Sequence, residues 1–150
     1  EMHSQCLDQA KHLNIQGNNP IVDAEIYRGL PEEELVRLGI NLFLYQLHDD
    51  YTRRIRKMLT IEQFHNKDLA IAYMHQYMDD PMFYFTALLK QAVDQGVLQT
   101  DNVEVMTLQF YAPFYTLMTV CDRDPEREAE SVQILEDHIR QFNKLYGRAV

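Results

Sequence analysis

Residues 102–121, NVEVMTLQFYAPFYTLMTVC, and residues 125–146, PEREAESVQILEDHIRQFNKLY, decide how this chain folds. The first stretch reads as a helix that is apolar on nearly every side. The second reads as a helix with one wide apolar stripe. A helix that is hydrophobic all round must be covered all round or lie in a membrane. A chain of 150 residues is hard pressed to cover such a helix alone. The economical solution is a second copy of the chain, the last two helices of each protomer forming a shared four-helix dimer interface. On the last helix Val132, Leu135, Ile139, Phe142 and Tyr146 are spaced three and four residues apart, as in a packing seam. Ile134, His138 and Leu145 widen that stripe. The preceding helix offers two faces, Val105, Leu108, Ala112, Tyr115 and Thr119 on one, Val103, Met106, Phe110, Phe114 and Leu117 on the other. Either is open to a partner. The expected interface joins Leu108, Ala112 and Thr119 to Val132, Leu135, Ile139, Phe142 and Tyr146.

A membrane is not the expected alternative. Glu104, Thr107, Gln109, Pro113 and Thr116 interrupt the run, which is short for a span. Residues 1–20 are polar and mixed in charge, unlike a secretory leader. The two cysteines, Cys6 and Cys121, do not form a disulfide framework, so free thiols and a cytoplasmic setting are expected. The net charge of −9 should repel phosphate backbones, which argues against nucleic-acid binding by this chain as it stands. The length suits one domain, and a chain of this size buries roughly 68–70% of its unfolded surface. With 46% hydrophobic residues and only five Gly and five Pro, a compact helical protein is favoured.

Punctuation divides the chain into about seven helical segments. Residues 4–14 are amphipathic and end at Asn14 and Gly17; residues 18–30 read as a linker. Pro31 opens a helix to about Leu47, with Glu32, Glu33 and Glu34 at the positive end of its dipole. Its two apolar stripes predict neighbours on two sides. Asp49 or Asp50 caps a helix over 51–64, and Asn66 caps one over 67–78. Asp80-Pro81 reads as a cap followed by proline, opening 81–95, which Gly96 ends. Asp101 with Glu104 has capping-box spacing, and Pro113 should kink the helix that follows. Asp124-Pro125 repeats the cap-plus-proline pattern, and Gly147 stops the last helix. No run alternates with period two, and there is no repeat and no glycine-rich phosphate loop.

Several local runs carry a resemblance. Leu108-Gln109-Phe110-Tyr111-Ala112-Pro113-Phe114, Cys121-Asp122-Arg123, Pro125-Glu126-Arg127-Glu128 and Arg140-Gln141-Phe142-Asn143-Lys144-Leu145-Tyr146 resemble the C-terminal regulatory domain of the TetR family. Arg56 through Phe64 is similar to a segment of one branch of that family. The resemblance covers about residues 31–147. It implies an all-α domain that dimerises through its last two helices and holds a small-molecule effector among the earlier ones. It also implies an N-terminal helix-turn-helix domain of roughly fifty residues that is not part of this chain, so operator DNA is expected as a partner only of the full-length protein. Residues 1–16 are then the remnant of the connecting helix, 17–30 a linker and 31–150 the regulatory domain.

The expected effector is a small apolar or aromatic molecule bound among helices 31–95 and 102–121. Pockets between helices are lined by aromatic side chains with a few polar groups to orient the ligand. The candidates are Phe43, Leu47, Tyr51, Tyr73, Tyr77, Phe85, Tyr111, Phe114 and Tyr115; for any one of them, plain core filling is the simpler account. Helices 31–48 and 51–64 would carry the signal toward 1–16. Arg53, Arg54, Arg56 and Lys57 form the one basic cluster, most simply a solvated face. Glu62 with His65 has the spacing of a di-metal carboxylate motif, but no second copy exists. His75 and Asp79 are one turn apart, too few for a metal site. Ser4 and Ser131 lie in polar helical contexts, and no nucleophile motif appears. A sensor domain without catalysis, metal or cofactor is therefore expected. The alternatives are a free-standing helical interaction module and, less favoured, a ferritin-like helical-bundle enzyme.

Overall fold

The structure, a computed structural model, describes residues 32–148. The connecting-helix remnant expected over 1–16 and the linker over 17–30 lie outside the described residues. The architecture is all-α: α1 (Glu32–His48), α2 (Asp50–Glu62), α3 (Lys67–Met74), a π turn (His75–Asp79), α4 (Asp80–Asp94), α5 (Val103–Arg123), a 3-10 turn (Pro125–Arg127) and α6 (Glu128–Tyr146). Because α3, the π turn and α4 run on without a break, 67–94 is one rod, and the described residues form five helical rods rather than six.

Most ends follow local chemistry. The Asp49 carboxylate accepts from the Thr52 amide and hydroxyl, and these bonds hold its pKa below the usual carboxylate range. Asn66 accepts from Asp68 and Leu69 at the start of α3. Gly96, at φ 79°, occupies the left-handed region after α4, where a Cβ would be strained. Two caps differ from expectation. At α5 the cap is Asn102, whose side chain accepts from the Val105 amide, one residue beyond Asp101. Asp80 is helical, the first residue of α4. Its amide instead reaches back five residues to the His75 carbonyl, and this π step lets Pro81 follow without ending the rod. Asp124 caps as expected, but it caps the 3-10 turn, so α6 starts at Glu128.

α1 packs against α6, α2 and α5, while the rod 67–94 packs along α5. Two cores result. The larger gathers Phe43, Leu47, Ile55, Leu59, Leu69, Leu117 and Leu135; the smaller gathers Leu89, Ala92, Leu98, Met106 and Phe142. Gly39 lets α1 approach α6: a Cβ there would stand 2.8 Å from the δ-methyl of Ile139. At the far end Gln99 and Arg148 donate backbone bonds to Tyr146 and Val97, pinning the α4–α5 loop to the end of α6. Arg140 donates to Glu32, Glu33 and Glu136 and so fastens the start of α1 to α6. Among the described residues no helix is long and apolar enough to cross a membrane.

The stripe on α6 faces inward. Leu135, Ile139 and Phe142 are 0%, 4% and 3% exposed within a single protomer, and Val132 packs on the larger core. Leu135, Ile139 and Phe142, expected in a dimer seam, thus lie in the protomer's own core, which leaves them little surface for a partner, and Val132 is half-buried. Tyr146 is half-buried against Phe142, and its hydroxyl donates to the Gln109 side chain. On α5, Met106 and Leu117 turn inward while Leu108 is exposed and Ala112 and Thr119 are half-buried. The apolar surface left on the last two helices is Val105, Leu108, Ile134 and Leu145.

Candidate functional site

The backbone irregularity of the rod 67–94 is answered by a side chain of α5. Pro81 has no amide to offer the Tyr77 carbonyl, its partner four residues back. The Tyr111 hydroxyl of α5 donates to that carbonyl instead. Four residues from Tyr111 is Tyr115, and four before Tyr77 is Tyr73, a spacing that keeps each pair on one side of its helix. The helices run antiparallel, so Tyr73 meets Tyr115 and their hydroxyls lie 2.6 Å apart. The Tyr73 and Tyr77 ring centroids are 4.9 Å apart, and Phe85 stacks on Tyr111 at 6.1 Å. Burial pushes the pKa of Tyr73, Tyr77 and Tyr111 well above the usual phenol range, because a phenolate there would be poorly solvated.

A buried ion pair borders this cluster. Arg56 is 1% exposed. Its Nε and Nη2 donate to the two Asp122 carboxylate oxygens at 2.6 and 2.7 Å, and its Nη1 donates to the Gln46 carbonyl at 2.6 Å. One side chain of α2 thus joins α1 to α5. This corrects the reading of Arg56 as part of a solvated basic face; only Arg53, Arg54 and Lys57 lie outside. The signal was present, since Thr52, Ile55, Arg56 and Leu59 share one helical side. Asp122 gave no such signal, because nothing local marks it as the partner of a residue 66 positions earlier.

A second aromatic group lies where α5 meets α6. His138 Nε2 bonds the Phe110 carbonyl at 2.8 Å, within the turn that Pro113 deprives of an amide. The His138 ring lies about 6 Å from those of Phe110, Phe114 and Phe142. Burial lowers its pKa, and the bond to Phe110 partly offsets that.

Of the expected pocket residues, Tyr73, Tyr77, Tyr111 and Tyr115 come together, with Phe85 beside Tyr111. Phe43 and Leu47 are core residues of the same cluster, and Phe114 packs on it. Tyr51 is 41% exposed at the start of α2 and does not join. Ser131, expected in a polar context, is buried and accepts from the Cys121 thiol at 3.3 Å. His75 and Asp79 pair with each other at 3.3 Å on the surface. Among the described residues no three His, Cys, Asp or Glu side chains are placed to hold a metal ion.

Compared with known proteins, the chain matches no family model, no curated protein and no solved structure.

Proposed function

We propose that this chain is the effector-sensing and dimerisation domain of a TetR-like one-component transcriptional regulator, and that its effector is a small apolar or aromatic molecule. The observation that carries the reading is the tyrosine contact between the rod 67–94 and α5. Hydroxyls that satisfy one another inside an apolar cluster are groups that a ligand with a polar atom can exchange with. An effector shifts a regulator only by its differential affinity for two states. Arg56 supplies a route for that shift, since a displacement of α5 reaches α1 through Asp122 and the Gln46 carbonyl. α1 begins at Glu32, next in sequence to the segment expected to lead to the DNA-reading domain. Dimerisation falls to the exposed residues Val105, Leu108, Ile134 and Leu145 rather than to the buried α6 stripe.

The reading is tested in two steps. The coding DNA upstream of Glu1 should encode a basic helix-turn-helix domain in frame. A thermal-shift screen against small aromatic and apolar molecules should find ligands that raise Tm, and sedimentation should report a dimer. A monomer that no small molecule stabilises would defeat the proposal. One observation favours a second reading, a helical interaction module: around the joint between α2 and α3 the apolar side chains of Ile61, Phe64, Ile71 and Met74 are all exposed, Phe64 87%.

A further inference from the structure

His138 lies where the protomer's core meets its outer surface. On α6, Ile134, His138, Gln141 and Leu145 follow at intervals of four, three and four residues, so they share one side of the helix. Ile134 and Leu145 are exposed apolar side chains, and His138 between them is half-buried. Nε2 of its ring bonds the Phe110 carbonyl. A carbonyl only accepts, so Nε2 carries the proton of the neutral ring, and Nδ1 is the nitrogen that takes up a second one. Nδ1 makes no bond among the described residues and is not buried, so it is open to water.

On α5, which packs on α6, Val105, Leu108, Ala112, Thr116 and Thr119 are exposed or half-buried. No charged residue occurs from Val105 to Cys121. The chain carries a net charge of −9, so two copies repel, and a contact between them needs a neutral surface. A second copy is the occupant suited to this one. The ionisable groups around His138 do not offset a charge on it. On α6, Glu130 pairs with Arg127, Glu136 with Arg140, and Asp137 accepts from the Gln133 amide. On α1, Glu34 pairs with Arg37, and Glu32 and Glu33 are taken by Arg140. On α5, Tyr111, Tyr115 and Cys121 turn to Tyr77, Tyr73 and Ser131. Burial is what lowers the His138 pKa, and no charged side chain among the described residues raises it.

We propose that a second copy of the chain seats on this face and covers His138, so that protonation of Nδ1 drives the two copies apart. The inference rests on the dimer reading above and adds its regulation by pH. In the single protomer a proton on Nδ1 is solvated. Under a second copy that charge would be enclosed by Phe110, Phe114, Phe142 and a neutral partner surface, at a cost the neutral ring does not bear. Each dimer covers two such rings, one per copy. The dimer therefore binds fewer protons than two protomers. Its dissociation constant rises as pH falls through the protomer's His138 pKa, which lies below the ordinary 6.5.

The test is sedimentation equilibrium of the full 150-residue chain at about pH 7.5 and about pH 5.5, repeated on His138→Gln and His138→Phe. The parent dissociation constant should rise about tenfold, a factor of roughly three for each of two rings. Both variants should stay dimeric, with a dissociation constant that changes less than about twofold. His138→Gln keeps a donor for the Phe110 carbonyl, which separates loss of the charge from loss of that bond. Proton NMR of the parent gives a second readout. The His138 ring should titrate at lower pH in concentrated than in dilute protein, because association and protonation are reciprocal. The same rise in both variants, a dimer that tightens at low pH, or a ring titration independent of concentration overturns the pH switch and leaves the dimer reading standing. A chain that is monomeric at both pH values removes the dimer reading and this inference with it.

Discussion

In the larger core, polar atoms are set among the side chains of Leu59, Leu69 and Leu135. Arg56 reaches Asp122 through it, and Tyr73 meets Tyr115. The smaller core joins Leu89, Ala92, Leu98, Met106 and Phe142, with Phe110 and Tyr146 packed against it. The two share α5 and α6 but rest on different physics. Apolar packing is non-directional and tolerates any filler of suitable volume. A buried guanidinium or hydroxyl has a fixed geometry and a penalty when its partner leaves. The larger core is thus the one in which a small displacement has a large consequence, and the one suited to sensing.

The same replacement in each core puts that difference to the test. Arg56→Met leaves the Asp122 carboxylate and the Gln46 carbonyl without their donor and should cost about 3–5 kcal/mol in urea unfolding. Adding Asp122→Leu should recover most of the loss, since the stranded charge goes with it. Leu89→Met in the smaller core keeps volume and polarity and should cost less than about 1.5 kcal/mol. Equal losses in the two single variants would erase the distinction.

His138, at the edge of the smaller core, sharpens it further. Its folded pKa lies below the ordinary 6.5, so the unfolded chain takes up the proton first as pH falls. Stability present above that value is lost below it, until the folded form also protonates. The urea midpoint should therefore fall more between about pH 7.5 and about pH 5.5 in the parent protein than in His138→Phe. Parallel curves would mean that the aromatic surroundings do not penalise the charge.

The smallest effect is expected between the cores. Gly39→Ala gains roughly 0.5–1 kcal/mol of helix propensity. It also pushes a Cβ to 2.8 Å from the Ile139 δ-methyl, the mobile tip of a side chain. These terms should cancel to within about 1 kcal/mol. A loss beyond that would show that α6 cannot yield to α1.

Much of the local structure was legible because it is decided locally. Asn66 caps because its side chain reaches an amide three residues on, and Gly96 ends α4 because only glycine adopts its φ cheaply. Asp80-Pro81 has the sequence of a helix start yet lies within a continuous rod, for a non-local reason. The carbonyl that Pro81 orphans is served by Tyr111 from another helix, so the rod need not end there. The site was legible in part: Tyr73, Tyr77, Tyr111 and Tyr115 recur at four-residue spacing, whereas the Arg56–Asp122 fork spans 66 positions.

By itself the sequence determined that the chain is helical, where most helices stop, and that the stripe on α6 must be buried. It did not determine against what. Periodicity reports that a face is apolar, and burial is equally favourable against the same chain or a second copy, because the hydrophobic effect has no direction. Only the packing of α1 and α5 onto Leu135, Ile139 and Phe142 decided that this face belongs to the protomer's own core.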